Sequence, residues 1–251
     1  LLEARKEHEG DAAGHGRILA EKVGTASWRP FGQHRTLPAI DNDRAAGGRF
    51  TMQIGILVFD DMELLDMAGP YEVFTTASRV HARTQPAGAD ALFNVTTIGR
   101  TAAAVRARAG LQVTPDHTLN EHPLLDGALV PGGVVTAELQ QPETLAWIAA
   151  QRQRARVLAS VCTGSLLLAQ AGVLDGLAAT THWEDLDELR ALRPAVRVQS
   201  GVRWVDEGPV ITSAGISAGI DMSLHLVERL HSRDLALHTA RQMDYDWKDA
   251  A

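Results

Sequence analysis

From Gln53 onward the chain alternates short apolar, β-branched runs with stretches of helical character, and this alternation narrows its fold more than any other feature. Strands are predicted near 53–59, 92–99, 128–130, 157–161, 178–181, 196–199, 202–206 and 209–213, and helices over 70–82, 142–153, 163–172, 185–192, 217–231 and 233–243. Strands separated by helices return in the same direction after each crossover. The result is an α/β domain with a mostly parallel sheet and helices on both of its faces. Only the strands near 196–213, joined through Asp206-Glu207-Gly208, read as a hairpin-like excursion.

The 251 residues, 45% of them apolar and 22% charged, suffice for one large domain with a full core. Residues 1–51 mix charge, Gly, Pro and His without a sustained period, and Met52 opens directly onto the first strand. That segment is read as a disordered extension or upstream sequence, 52–245 as the folded domain and 246–251 as a tail. Residues 1–51 hold 8 of the 24 basic and 7 of the 31 acidic residues, leaving 16 basic against 24 acidic groups and a net −8 beyond them. Such a balance offers no electrostatic footprint for nucleic acid. No apolar run reaches the eighteen or so residues of a membrane helix, and no secretory signal opens the chain, so a cytoplasmic protein with neither membrane nor nucleic-acid partner is expected. The single cysteine excludes an intramolecular disulfide framework and a Cys-rich zinc site.

In an open α/β sheet, ligands collect beyond the carboxyl ends of the strands. Four loops fall there: Asp60-Asp61-Met62-Glu63-Leu64-Leu65-Asp66, Pro131-Gly132-Gly133, Cys162-Thr163-Gly164-Ser165, and Ser213-Ala214-Gly215-Ile216-Ser217-Ala218-Gly219. Cys162 stands at the junction of the strand Val157–Val161 and a helix, where a nucleophile elbow needs small neighbours such as Gly164 and Ser165. Helix amides and the helix dipole there are expected to lower the thiol from its ordinary pKa of about 8.5 and make it a nucleophile. The alternative is an inert thiol buried behind the sheet. Pro131-Gly132-Gly133 can present bare amides to a developing anion, or be a plain turn. Asp66, between Leu64-Leu65 and Met67-Ala68-Gly69-Pro70, sits where desolvation raises a carboxyl pKa and leaves a general acid, though a helix N-cap fits the same place. Asp60, Asp61 and Glu63 read as solvated groups at a loop or helix start. His182 is expected to support the site, and His225, His231 and His238 to be surface or packing residues without metal-site spacing. No zinc motif, phosphate loop or dinucleotide fingerprint is present.

Taken together, Val161-Cys162-Thr163-Gly164-Ser165, Ala179-Thr180-Thr181-His182-Trp183 and Ala214-Gly215-Ile216-Ser217-Ala218-Gly219-Ile220-Asp221 resemble the ThiJ/PfpI superfamily, a class I glutamine amidotransferase-like group. Within it the chain is most similar to isonitrile hydratases and to the sensor domains of AraC-type regulators. The resemblance covers about residues 52–245 and implies a three-layer, flavodoxin-like α/β/α sandwich. It further implies Cys162 as nucleophile, Asp66 as its acidic neighbour, Gly133 and the Thr163 backbone as anion-stabilising positions, and His182, Gly215 and Ile216 as supporting positions. The superfamily's proteases place His directly after the cysteine. Thr163 occupies that position here, which argues against peptidase or glyoxalase-type chemistry.

The resemblance implies a homodimer that adds water to a small isocyanide through a covalent thioimidate, with no cofactor or metal. Two other functions stay open, a ligand-sensing domain without turnover and a redox or stress-response protein whose cysteine is oxidised. DNA-binding regulators continue into a helix-turn-helix domain, and this chain closes on Asp249-Ala250-Ala251 soon after its last expected helix.

Overall fold

The computed structural model describes residues 51–249, so the reading of 1–51 as a disordered extension falls, apart from Thr51, outside the described residues, as do residues 250 and 251 of the tail. In chain order the elements are β1 (Met52–Leu57), α1 (Leu64–Ala82), β2 (Phe93–Gly99), β3 (Val105–Arg106), β4 (Gln112–Val113), β5 (His117–Thr118), β6 (Gly127–Val130), α2 (Pro142–Arg154), β7 (Val157–Val161), α3 (Gly164–Gln170), β8 (Ala178–Ala179), α4 (Leu186–Leu192), β9 (Arg197–Val198), β10 (Trp204–Asp206), β11 (Val210–Ser213), α5 (Ala218–Leu230) and α6 (Arg233–Gln242).

Seven strands form one sheet in the order β10-β11-β7-β6-β1-β2-β5. Every pairing in it is parallel except that of β10 with β11, which is the expected hairpin. The strand near 196–199 does not join it: β9 pairs with β8 in a separate two-stranded sheet. β6, β7 and β11 are buried along their whole lengths, as strands covered on both faces are, which is why they show no alternation of apolar and polar residues. Helices α1, α5 and α6 pack on one another, and α3 packs with α2 and α4, giving the two helical groups that flank the sheet of an α/β sandwich. Among the described residues no helix is long and apolar enough to cross a membrane.

The register sets the site. Ile56 pairs with Leu129, Val130 with Ser160, and Val161 with Ser213, so the carboxyl ends of β1, β6, β7 and β11 lie side by side. The four loops singled out in the sequence leave from those ends. One element differs in a way that matters: α1 begins at Leu64, six residues before the predicted start, and runs through Pro70. Proline at that point has no amide to offer the Asp66 carbonyl four residues earlier and disfavours a continuous helix. Burial of Met67, Gly69 and Pro70 on one face offsets that penalty, and the earlier start places Asp66 in the helix's first turn.

Candidate active site

Cys162 has φ 56°, the left-handed conformation that a strand-to-helix elbow imposes and that costs a side-chain-bearing residue about 1–3 kcal/mol. Three elements hold it there. Its amide donates to the carbonyls of Ser213 and Ala214 at 3.2 and 3.3 Å, and its carbonyl accepts from the Thr181 hydroxyl at 3.0 Å and the Ser165 amide at 3.3 Å. The Thr-Thr-His-Trp segment thus anchors the backbone of Cys162 through Thr181, a role the sequence reading did not assign.

Asp66 is 1% exposed and faces the cysteine from α1. Its Oδ2 accepts the Gly132 amide at 3.0 Å, whereas Oδ1 is buried without a hydrogen-bond partner. Desolvation pushes its pKa up to about 7, against the Gly132 amide, which favours the charged form, while the Glu63 carboxylate adds to the rise. The Cys162 thiol and the Ile216 amide face the same carboxyl and lower its pKa further, though neither closes a geometric hydrogen bond on Oδ1. The expected N-cap role is not what Asp66 performs: Glu63 occupies the cap position, without a side-chain hydrogen bond, and Asp66 lies inside the helix.

The thiol behaves opposite to the sequence expectation. Burial, and next the neighbouring Asp66 charge, push Cys162 up to about 12, although the Thr163 amide faces the sulfur and favours the thiolate. α3 is only seven residues long, so its end effect is small beside the desolvation of a side chain that is 7% exposed. Protonation of Asp66 removes the charge repulsion between the two groups. Burial and mutual repulsion therefore both favour the neutral forms of the two groups.

The Pro131-Gly132-Gly133 amides do not stand free for an anion. The Gly133 amide donates to the Thr163 hydroxyl at 2.8 Å, and that hydroxyl donates to the Gly133 carbonyl at 2.9 Å. Gly133 thus positions Thr163, and its amide is occupied in this state. Its φ of 129° and the 2.3 Å that would separate a Cβ from the Asp61 carbonyl explain the glycine. A Cβ on Gly132 would lie 2.5 Å from the Thr163 nitrogen, and one on Gly164 would lie 2.2 Å from the Val130 carbonyl. These glycines let two loops touch. Gly132, which the sequence reading passed over in favour of Gly133, is the one that meets Asp66.

His182 lies against Gly215, where a Cβ would come within 2.2 Å of its ring, and its Nδ1 side faces Asp185 at 3.4 Å and Glu184 at 3.8 Å. Its ring makes no hydrogen bond to Cys162, and the Glu184 amide donates to its Nδ1 at 3.3 Å. Asp185 is itself close enough to Cys162 to raise the thiol. His225 pairs with Asp206 and stacks on Trp204, His231 packs edge-on against His81, and His238 reaches its own helix backbone at Asp234. Among the described residues no three His, Cys, Asp or Glu side chains gather as a metal site. Asp60 accepts the Arg106 amide at 2.7 Å and Glu63 faces Arg108 at 3.9 Å, so these two carboxylates of the first loop are tied to its flank.

The chain belongs to the DJ-1/PfpI family, whose model matches residues 52–229. It is 37% identical to an isonitrile hydratase of Pseudomonas putida over 195 residues, spanning 77% of this chain and 78% of that one. It is 32% identical to the HTH-type transcriptional regulator GbdR of Pseudomonas aeruginosa over 198 residues, 79% of this chain but only 52% of the regulator. The crystal structure of a ThiJ/PfpI family protein from Pseudomonas syringae superposes with a TM-score of 0.69 at 30% identity, covering 83% of this chain and 81% of that chain.

Proposed function

We propose that the protein is a cysteine-dependent, isonitrile hydratase-like hydro-lyase that adds water to an isocyanide and yields an N-substituted formamide. The observation that carries this reading is the pairing of Cys162, fixed at φ 56°, with a buried Asp66 carboxyl that titrates near neutrality. Asp66 can take the thiol proton and return it, which a carboxyl of ordinary pKa does poorly at neutral pH.

The thiol proton passes to Asp66 as the sulfur bonds to the terminal carbon of R–N≡C. Asp66 then delivers the proton to that same carbon, giving the thioimidate Cys–S–CH=N–R. Now charged, Asp66 draws a proton from the water that adds to the carbon and passes it to nitrogen. Collapse of the adduct expels the sulfur, which recovers the remaining proton, and R–NH–CHO leaves. The Thr163 amide eases charge on the sulfur throughout. The route uses no metal or organic cofactor.

Large apolar side chains stand exposed beside the site residues: Leu65 next to Asp66, Val134 next to Gly133, Trp183 next to His182, and Ile216 itself. They suit a neutral substrate with an apolar R group. In this reading the protein works in the cytoplasm as a homodimer, a state that gel filtration with light scattering reports.

A second reading has its own support. A thiol pushed up to about 12 is a poor resting nucleophile, and regulators such as GbdR share this domain, so the pocket can serve to bind a small molecule without turnover. The same raised thiol counts against an easily oxidised redox cysteine. Formamide production from an alkyl or aryl isocyanide decides between the first two. Turnover by the wild type, abolished in Cys162→Ala and reduced at least tenfold in Asp66→Asn, is the expected result. A folded wild type that binds isocyanide without producing formamide establishes the sensing reading instead.

A further inference from the structure

The loop that brings Ile216 to the site carries a conformation it would not adopt alone. Ile216 has φ 50°, and a β-branched residue in the left-handed region persists only where its surroundings hold it. Both sides of the residue meet Arg203, the half-exposed partner of the buried Asp221. Before it, the Ala214 amide donates to the Arg203 carbonyl at 2.9 Å, while the Ala214 carbonyl accepts the Cys162 amide. After it, the Ser217 hydroxyl lies 3.4 Å from the Arg203 guanidinium. That guanidinium is fixed in turn by Asp221, which is fully buried on α5 and accepts from Arg203 Nε at 2.7 Å and from Nη2.

The segment after α6 closes the arrangement. The Lys248 amide donates to the free oxygen of Asp221 at 2.9 Å, the Trp247 indole to the Asp221 carbonyl at 3.1 Å, and the Tyr245 hydroxyl to the Ser217 carbonyl at 3.4 Å. Arg233 lies over the Trp247 ring at 5.5 Å and pairs with Asp249 at 2.5 Å, fastening the same segment to α6. Each Asp221 carboxylate oxygen thus has a different task, one on the strand side through Arg203 and one on the tail.

We propose that Asp221 is a positioning residue of the Cys162 site, clasping the tail Tyr245–Lys248 and Arg203 so that the turn 214–217 keeps the Ala214 carbonyl on the Cys162 amide and the Ile216 amide beside Asp66. The inference holds whether the pocket turns substrate over or only binds it, since it concerns the geometry of the pair and not its chemistry. The groups that set the titration of that pair are named above: Asp66, Glu63 and Asp185 as acids, and the amides of Gly132, Thr163 and Ile216.

Alkylation of Cys162 by iodoacetamide as a function of pH, on the whole chain, tests this without any assumption about substrate. Loss of the Ile216 amide from the Asp66 carboxyl removes a group that favours its charged form, so the inflection due to Asp66 should move to higher pH. We expect an upward shift of half a pH unit or more in Asp221→Asn and in the milder pair Tyr245→Phe with Trp247→Ala. Amide hydrogen exchange over 214–218 should quicken at least tenfold in both. Arg193→Ala, which breaks an ion pair with Asp175 elsewhere, should leave the inflection in place. Should Asp221→Asn fail to fold, the tail variant decides. An inflection that stays at its wild-type pH in every folded clasp variant overturns the proposal, whether or not the tail has loosened.

Discussion

Asp66 is costly to keep where it is. Each unit of pKa shift is worth about 1.4 kcal/mol, so raising this carboxyl from 3.8 to about 7 costs the folded state about 4 kcal/mol once the group is charged. The sign follows from proton binding. Between the unfolded and folded values the native state holds the extra proton, so its stability is greatest below the unfolded value and declines as pH rises through the folded one. Asp66→Asn keeps an oxygen to accept the Gly132 amide and removes the charge. We expect it to be more stable than wild type at pH 8 by a few kcal/mol, with the gap closing as pH falls toward 4, measured by denaturant unfolding at both ends. The same variant should lose activity, since it can no longer exchange a proton with the thiol.

Between β7 and α3, and between β6 and the turn that follows it, the controlling quantity is how closely backbones approach. Gly164 packs against the Val130 carbonyl with no room for a methyl group, and backbone cannot yield as a flexible side chain can. Gly164→Ala should therefore destabilise the domain by about 3 kcal/mol or more, visible as a lowered denaturation midpoint. It should also slow Cys162 alkylation, by displacing the elbow. The predicted helices and strands past Met52 lie within a few residues of the observed ones, with the start of α1 the main exception. Proline at position 70 signals a helix start by its chemistry. It was overruled by burial of the turn ahead of it, which a reading of local pattern does not register.

At the scale of the molecule, one sheet register brings four loops distant in sequence to the same edge. Leu158, at the centre of that sheet and wholly buried, tests how much the whole depends on its core. Leu158→Ala should cost about 2–5 kcal/mol by chemical denaturation, with no change in the pH profile of Cys162 in the molecules that remain folded.

The sequence by itself determined the α/β class, the strand-to-helix setting of Cys162, and the loops that could carry chemistry, because apolar periodicity and small residues at an elbow are local properties. It also placed Asp66 in an apolar context, and its raised pKa follows. Tertiary structure alone decided the rest. The Gly133 amide turned inward to Thr163, and the Gly132 amide became the partner of Asp66, because two glycine-lined loops meet face to face. The Cys162 thiol is pushed up instead of down, because desolvation and a neighbouring carboxylate are sums over groups far apart in the chain. Arg203, Asp221 and the tail came together for the same reason, around a turn that no local propensity would have chosen.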